Sequence, residues 1–184
     1  MTDLNILTIC GSLRADSLNR SLANTLPELA PEGMSFTDAP SFADVPIYNF
    51  DIQSEGGAPP AIKAIGSAIR GADGVVIVSP EYNYSIPGGL KNAIDWLSRL
   101  EDQPFVGKPV AIQSAAPGML GGARMQYHLR QTMVFLDARV LNKPEVFVGQ
   151  GKQKISDGRL TDPASRDVVA GQLAAFASFI STGG

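Results

Sequence analysis

The sequence has little cysteine, little net charge and no long apolar run. Cys10 is the one cysteine among 184 residues, so no disulfide can form within the chain, and nothing points to an oxidising compartment. The formal net charge of −3, without a basic stripe, argues against a nucleic-acid-binding surface. No apolar stretch approaches the roughly 20 residues that cross a bilayer, and no signal-peptide pattern opens the sequence. We therefore predict a cytoplasmic protein without nucleic-acid or membrane partners.

The usual residues of metal and hydrolase sites are also scarce. His128 is the only histidine and has no cysteine cluster to share a metal with, so we expect no metal site. The Gly-x-Ser-x-Gly turn that carries the nucleophile of α/β hydrolases is missing, which makes a serine hydrolase a disfavoured alternative. Cys10 ends an apolar run and is predicted to be packed and inert rather than redox-active.

The remaining composition is that of an ordinary globular protein. Hydrophobic residues make up 44% and charged residues 18% of the chain. A chain of this length can bury a substantial core without disulfides or metals. We therefore predict that residues 1–184 form a single domain.

Short apolar runs alternate with segments of helical periodicity, which indicates βαβ units. This alternation predicts an α/β fold: a flavodoxin-like, doubly wound, five-stranded parallel sheet in three layers, with the site at the carboxyl ends of strands one and three. Pro27 should kink or shorten the first helix, and residues 41–57 are predicted to be an irregular surface loop. The predicted strands are 4–10, 34–39, 75–79, 109–114 and 144–148.

The loop after the first strand has the composition of a phosphate site. It lies before a predicted helix N-terminus, where unsatisfied N–H groups and the helix dipole favour an anion. Ser12 and Ser17 offer hydroxyls, Asn19 an amide and Arg14 a positive charge. Neither a three-glycine dinucleotide pattern nor a P-loop is present, so a single phosphate is favoured. The alternative is an ordinary strand-to-helix turn in which Ser17 only caps the helix.

The loops after the third and fourth strands are predicted to complete the site. Tyr82, Asn83 and Tyr84 follow the third strand, where backbone N–H groups and the Tyr82 side chain could support a flat ring. The alternative is a rigid Pro/Gly turn with surface tyrosines. Trp96, beyond it, is predicted to be a core or interface residue rather than a ligand contact. Small residues in 113–124 leave room for part of the ligand.

Three motifs give the chain a family resemblance. It resembles the NAD(P)H-dependent FMN reductase family, in particular its bacterial quinone and chromate reductase branch, from about Leu4 to Val148. The motifs are Gly11-Ser12-Leu13-Arg14 with Ser17 and Asn19, then residues 80–96, and then Gly121-Gly122-Ala123-Arg124 with residues 126–130.

The resemblance implies bound FMN, NADPH or NADH as co-substrate, and two-electron reduction of quinones and similar acceptors, chromate among them. It also implies a homodimer or homotetramer, with Arg124, Tyr127 and Glu145 near the subunit boundary. Asp16 is acidic where the family often has a basic residue, which leaves the nicotinamide preference open. The implied cofactor-binding residues are Ser12, Arg14, Ser17 and Asn19 for the phosphate, Pro80, Glu81, Tyr82 and Asn83 for the ring, and Ser114 on the opposite side.

A flavodoxin-type electron carrier, which does not itself oxidise a nicotinamide, is the main alternative function. Flavodoxins hold the phosphate with hydroxyls and backbone groups, whereas this loop contains Arg14. A charge of −3 is also weak for a carrier that docks electrostatically. The sequence therefore favours an enzyme in which the flavin carries out the chemistry and no side chain acts as a nucleophile.

Overall fold

A parallel β-sheet forms the centre of the computed structural model, which describes residues 3–182. The strand order is β2-β1-β3-β4-β5, with β6 also paired to β4. This order confirms the predicted flavodoxin-like, doubly wound topology. The strands are β1 (Leu4–Cys10), β2 (Met34–Asp38), β3 (Gly74–Val78), β4 (Pro109–Ala115), β5 (Arg139–Val140) and β6 (Val146–Val148).

Helices cover both faces of this sheet and give the predicted three layers. Along β3, Val75 and Ile77 pack into one core cluster and Val76 and Val78 into the other, because successive side chains of a strand point to opposite faces. No helix within residues 3–182 has the length and apolar character needed to cross a membrane. The helices are α1 (Leu18–Leu29), α2 (Phe50–Gly56), α3 (Pro60–Gly71), α4 (Gly88–Leu97), α5 (Ala123–Phe135), α6 (Gly151–Lys154) and α7 (Pro163–Ser181).

The fifth position of the sheet is divided between two short strands. Strand β5 pairs with the start of β4 and strand β6 with its end. The sequence predicted a single strand over 144–148. Pro144 has no N–H to donate to a ladder, so the pairing resumes only at Val146.

Residues 41–57 differ from the predicted irregular loop because they include α2. Asn49 caps this helix by accepting the N–H of Asp51 at 2.9 Å. No residue of α2 is buried, so the segment lacks the apolar periodicity that would have indicated a helix. The segment is held to the domain where Trp96 donates its indole N–H to the Pro46 carbonyl at 2.8 Å. Trp96 is fully buried, which confirms it as a core residue.

Helix α1 contains Pro27 and ends two residues later, at Leu29. A kink or shortening of the helix at Pro27 stays a prediction. The polar stretch after β6 contains α6 and a small hairpin of β7 (Ile155–Ser156) and β8 (Arg159–Leu160). This hairpin packs on α1, where Leu160 donates its N–H to Thr25 Oγ1 at 2.9 Å.

Candidate functional site

A cavity of about 660 Å³ opens at the carboxyl ends of β1, β3 and β4. This is the edge of the sheet at which the sequence places the site, and the volume is typical of small-ligand sites. Three loops, the start of α1 and one residue of α6 form its walls. The lining residues are Ser12, Arg14, Asp16, Ser17, Leu18 and Asn19, then Pro80, Glu81 and Tyr82, then Ala115, Ala116 and Pro117, and Lys152.

The first wall is the N-terminus of α1. Ser17 caps the helix with its Oγ, which accepts the N–H of Asn19 at 3.2 Å. Ser12 Oγ accepts a hydrogen bond from the Arg14 backbone N–H, with 3.4 Å between oxygen and nitrogen. Each hydroxyl keeps its own hydrogen for a ligand. The remaining N–H groups of the first helical turn and the positive end of the dipole make this wall suitable for an anion.

Arg14 adds a positive charge to the same wall. Its side chain is exposed, and within residues 3–182 it has no carboxylate within ion-pair distance. Asp16 also lines the cavity, so the loop itself brings one positive and one negative charge to it.

Asn19 joins the first wall to the third. Its amide nitrogen donates to the Ala115 carbonyl at 2.9 Å, and its amide oxygen accepts the Ala115 N–H at 2.8 Å. The side chain is buried, and these two bonds fix the start of α1 against the end of β4. Asn19 therefore sets the spacing of two cavity walls.

The second wall includes a tight turn at Asn83 and Tyr84. Tyr82 and Ser85 exchange two backbone hydrogen bonds of 3.0 Å, and both central residues have positive φ, 47° and 74°. Two positive φ values are typical of a type I′ turn, which asparagine tolerates better than most residues. Tyr82 lines the cavity with half of its surface exposed, whereas Asn83 lies at the exposed turn tip, outside the lining.

Glu81 lines the cavity and also ties this wall to α5. Its carboxylate accepts the N–H groups of Arg124 and Met125 at 3.1 and 3.3 Å, where α5 begins without a side-chain cap of its own. It also accepts a 3.0 Å hydrogen bond from the Arg124 guanidinium, which raises the pKa of Arg124. The guanidinium lies 4.1 Å from the Tyr84 ring centroid. Arg124, predicted as an interface residue, thus has partners within its own chain.

Ser114 lies behind the third wall rather than in it. Its buried hydroxyl donates to the Gly121 carbonyl at 2.6 Å and accepts from Gln126 at 2.7 Å. Because side chains alternate along β4, Ser114 faces α5 and the next residue, Ala115, lines the cavity. Gly122 has a φ of 91°, and a Cβ there would lie 2.8 Å from the Ser114 side chain, so only glycine fits.

Lys152 lines the cavity but was not predicted from the sequence. It belongs to α6, after the last of the three family motifs, and no local sequence pattern indicates a binding residue there. The fold brings it to the site because Gly151 donates its N–H to the Ala116 carbonyl at 2.9 Å. The Lys152 side chain therefore faces the same space as Arg14.

Other reactive side chains lie outside the lining. Burial raises the pKa of the Cys10 thiol, which agrees with the predicted inert role. His128 Nδ1 lies 3.0 Å from Ser85 Oγ, but no carboxylate among the described residues orients this imidazole, as a catalytic triad requires. The described residues also contain no group of three or more histidine, cysteine or carboxylate residues able to hold a metal.

Known proteins similar to this chain cover nearly all of it. The family model of NADPH-dependent FMN reductase matches residues 4–153. A quinone reductase of Escherichia coli strain K12 is 55% identical over 179 residues, 96% of this chain and 95% of that protein. An NAD(P)H-dependent FMN reductase of Pseudomonas aeruginosa is 47% identical over 174 residues, 94% of this chain and 93% of that protein.

Among solved structures, the flavoenzyme NAD(P)H:(acceptor) oxidoreductase FerB of Paracoccus denitrificans superposes with a TM-score of 0.86 at 32% identity. The superposition covers 98% of this chain and 99% of FerB. The family resemblance carried by the three loop motifs is thereby confirmed. This chain belongs to the NADPH-dependent FMN reductase family.

Proposed function

We propose that this protein is an FMN-dependent oxidoreductase that passes two electrons from NADPH or NADH to quinones and similar small acceptors. Family membership makes it a flavin enzyme, and relatives of high identity are named quinone reductases. The observation that carries the proposal is the cavity itself. One end has the donors for a single phosphate, and the other has an aromatic turn for a flat ring.

The donor set at the first wall fits the phosphate of FMN. A phosphate monoester carries nearly two negative charges at neutral pH and three acceptor oxygens. Ser12 and Ser17 would donate hydroxyl hydrogens, Arg14 would supply a charge-assisted hydrogen bond, and Asn19 would hold the wall in place. The absence of a pyrophosphate-binding glycine pattern in this loop favours FMN over a dinucleotide at this position.

The second and third walls would hold the ring. Pro80, Glu81 and Tyr82 line one side and Ala115 to Pro117 the other. Asn83 and Ser114 lie outside this lining, so we propose that they act on the ring through the shape of the turn and of the third loop. When bound, FMN supplies the electron-transfer chemistry, and the protein's part is to bind it, orient it and limit its contact with water.

Purified protein should be yellow, and its flavin should be reduced and reoxidised in one sample. We expect flavin absorbance bands that bleach anaerobically on addition of NADPH or NADH and return on addition of a benzoquinone. Comparing kcat/KM for the two nicotinamides then fixes the donor. A yellow protein that neither nicotinamide bleaches would instead support the flavodoxin-type carrier, and a colourless protein that gains nothing from added FMN would reject both.

We also propose a homodimer or homotetramer in which α5 contributes to the contact between subunits. Val134 and Phe135 at the end of α5 are 76% and 81% exposed, and Tyr127 lies on the same helix. Tyr127 donates to Glu145 at 3.0 Å, which in turn accepts from Lys143 at 2.7 Å. An apolar helix end beside a charged cluster is a composition that subunit interfaces often have.

The double substitution Val134→Asp/Phe135→Asp should shift the protein to a smaller species in sedimentation velocity, because two charges would be buried without partners in the contact. Val168→Asp is the matched control, since Val168 is another exposed valine, on α7. An unchanged sedimentation coefficient for the double variant would remove α5 from the interface.

We further propose that the protein is cytoplasmic, that it also reduces chromate, and that residues 1–184 form a single domain. Cell fractionation tests the compartment, and NADPH oxidation that depends on chromate tests the acceptor. A single cooperative unfolding transition would support the single domain.

A further inference from the structure

Within residues 3–182, Lys152 resembles Arg14 in lining the cavity without an ion-pair partner, and it comes from a part of the chain distant in sequence from Arg14. We infer that Lys152 is a phosphate-recognition residue, which would bind the phosphate of the flavin together with Arg14. This inference rests on the proposed function, in which the phosphate lies at the N-terminus of α1.

The backbone around α6 fixes where Lys152 lies. Gln150 donates its N–H to the Gly118 carbonyl at 3.0 Å, and Gly151 donates to Ala116 at 2.9 Å. A Cβ on Gly151 would lie 3.1 Å from Leu18 Cδ1, so the chain passes in close contact with the first residue of α1. The next residue, Lys152, is thereby held beside the helix terminus that forms the anion-binding wall.

The charges at the cavity favour a second cation. Among the lining residues, the charges of Arg14 and Asp16 cancel, and the Glu81 carboxylate is paired with Arg124. Without Lys152, a phosphate of nearly two negative charges would meet a loop of no net charge, assisted only by the helix dipole. Lys152 restores a net positive charge at this position and offsets the acidic Asp16.

Lys152 is also available to a ligand. Within residues 3–182 it has no carboxylate within ion-pair distance, whereas Lys154 on the same short helix pairs with Asp162 at 3.8 Å. The Lys154 side chain does not line the cavity. The two lysines therefore make a matched pair: they have the same charge and lie on the same helix, but only one faces the site.

A lysine ammonium acts as a flexible point charge, so its contribution should depend on the phosphate and on salt. The test removes the flavin and titrates the apoprotein with FMN and with riboflavin, which lacks the phosphate, at low and high salt. We expect Lys152→Gln to weaken FMN binding roughly three- to tenfold at low salt, by less at high salt, and to leave riboflavin binding unchanged. Lys154→Gln should change neither the FMN affinity nor the riboflavin affinity, and Lys152→Arg should retain most of the FMN affinity.

An equal loss of FMN and riboflavin affinity in Lys152→Gln, or no loss of FMN affinity at low salt, would overturn the inference. Arg14→Gln in the same titration separates this failure from failure of the proposed function. If Arg14→Gln loses FMN affinity and Lys152→Gln does not, only the role of Lys152 is wrong. If the wild-type protein binds FMN no better than riboflavin, the phosphate site itself is wrong and both proposals fail.

Discussion

Replacing Arg14 with alanine should weaken FMN binding by roughly ten- to a hundredfold. A hydrogen bond to a charged group contributes about 1.5–3 kcal/mol net, which corresponds to this range of affinity. Arg14 is exposed and has no ion-pair partner among residues 3–182, so its removal should leave the stability of the fold nearly unchanged. Isothermal titration of the apoprotein with FMN measures the effect.

Riboflavin and a distant cation provide the controls for Arg14. Riboflavin affinity should be nearly the same in wild-type protein and in Arg14→Ala, because only the phosphate interaction is lost. Lys63→Ala removes one positive charge from α3, away from the cavity, and should leave FMN affinity within twofold, since exposed distant charges are largely screened. An FMN affinity that is unchanged in Arg14→Ala would exclude Arg14 from phosphate binding.

Replacing Asn19 with alanine should destabilise the whole domain as well as the site. The substitution leaves the buried N–H and C=O of Ala115 without their partner, at a cost of about 1–3 kcal/mol for each group. Since the same bonds hold the first wall against the third, FMN affinity should fall together with stability. Urea unfolding of the apoprotein gives the change in free energy of unfolding, and FMN titration gives the change in affinity.

Asn24→Ala is the matched control, because Asn24 is on the same helix and its side chain lies outside the cavity lining. We expect it to change the free energy of unfolding by less than about 0.5 kcal/mol. An Asn19→Ala variant as stable as Asn24→Ala would mean that the Asn19 bonds do not tie the two walls together.

The sheet and the position of the site could be predicted from the sequence because the signals were local. Residues 75–78 are four consecutive β-branched residues, all buried, as a central parallel strand requires. Once five strands alternate with helices, the switch point follows from topology, and with it the loops after β1, β3 and β4.

The remaining features depend on contacts that no local pattern records. Lys152 reaches the cavity only because the chain after β6 returns to α1. Glu81 serves as the cap of α5, a contact between residues more than 40 positions apart in sequence. The family resemblance implies Ser114 beside the flavin, and this role stays a proposal. The alternation of side chains along β4 turns its hydroxyl toward Gly121 and Gln126, while Ala115 lines the cavity.

A crystal structure of the protein with bound FMN would show most directly whether the cavity binds a flavin monophosphate. We expect the phosphate at the N-terminus of α1, within hydrogen-bond distance of Ser17 Oγ and the Arg14 guanidinium, with the ring against Tyr82. A phosphate bound away from this terminus, or a ring outside the walls formed by the three loops, would contradict it.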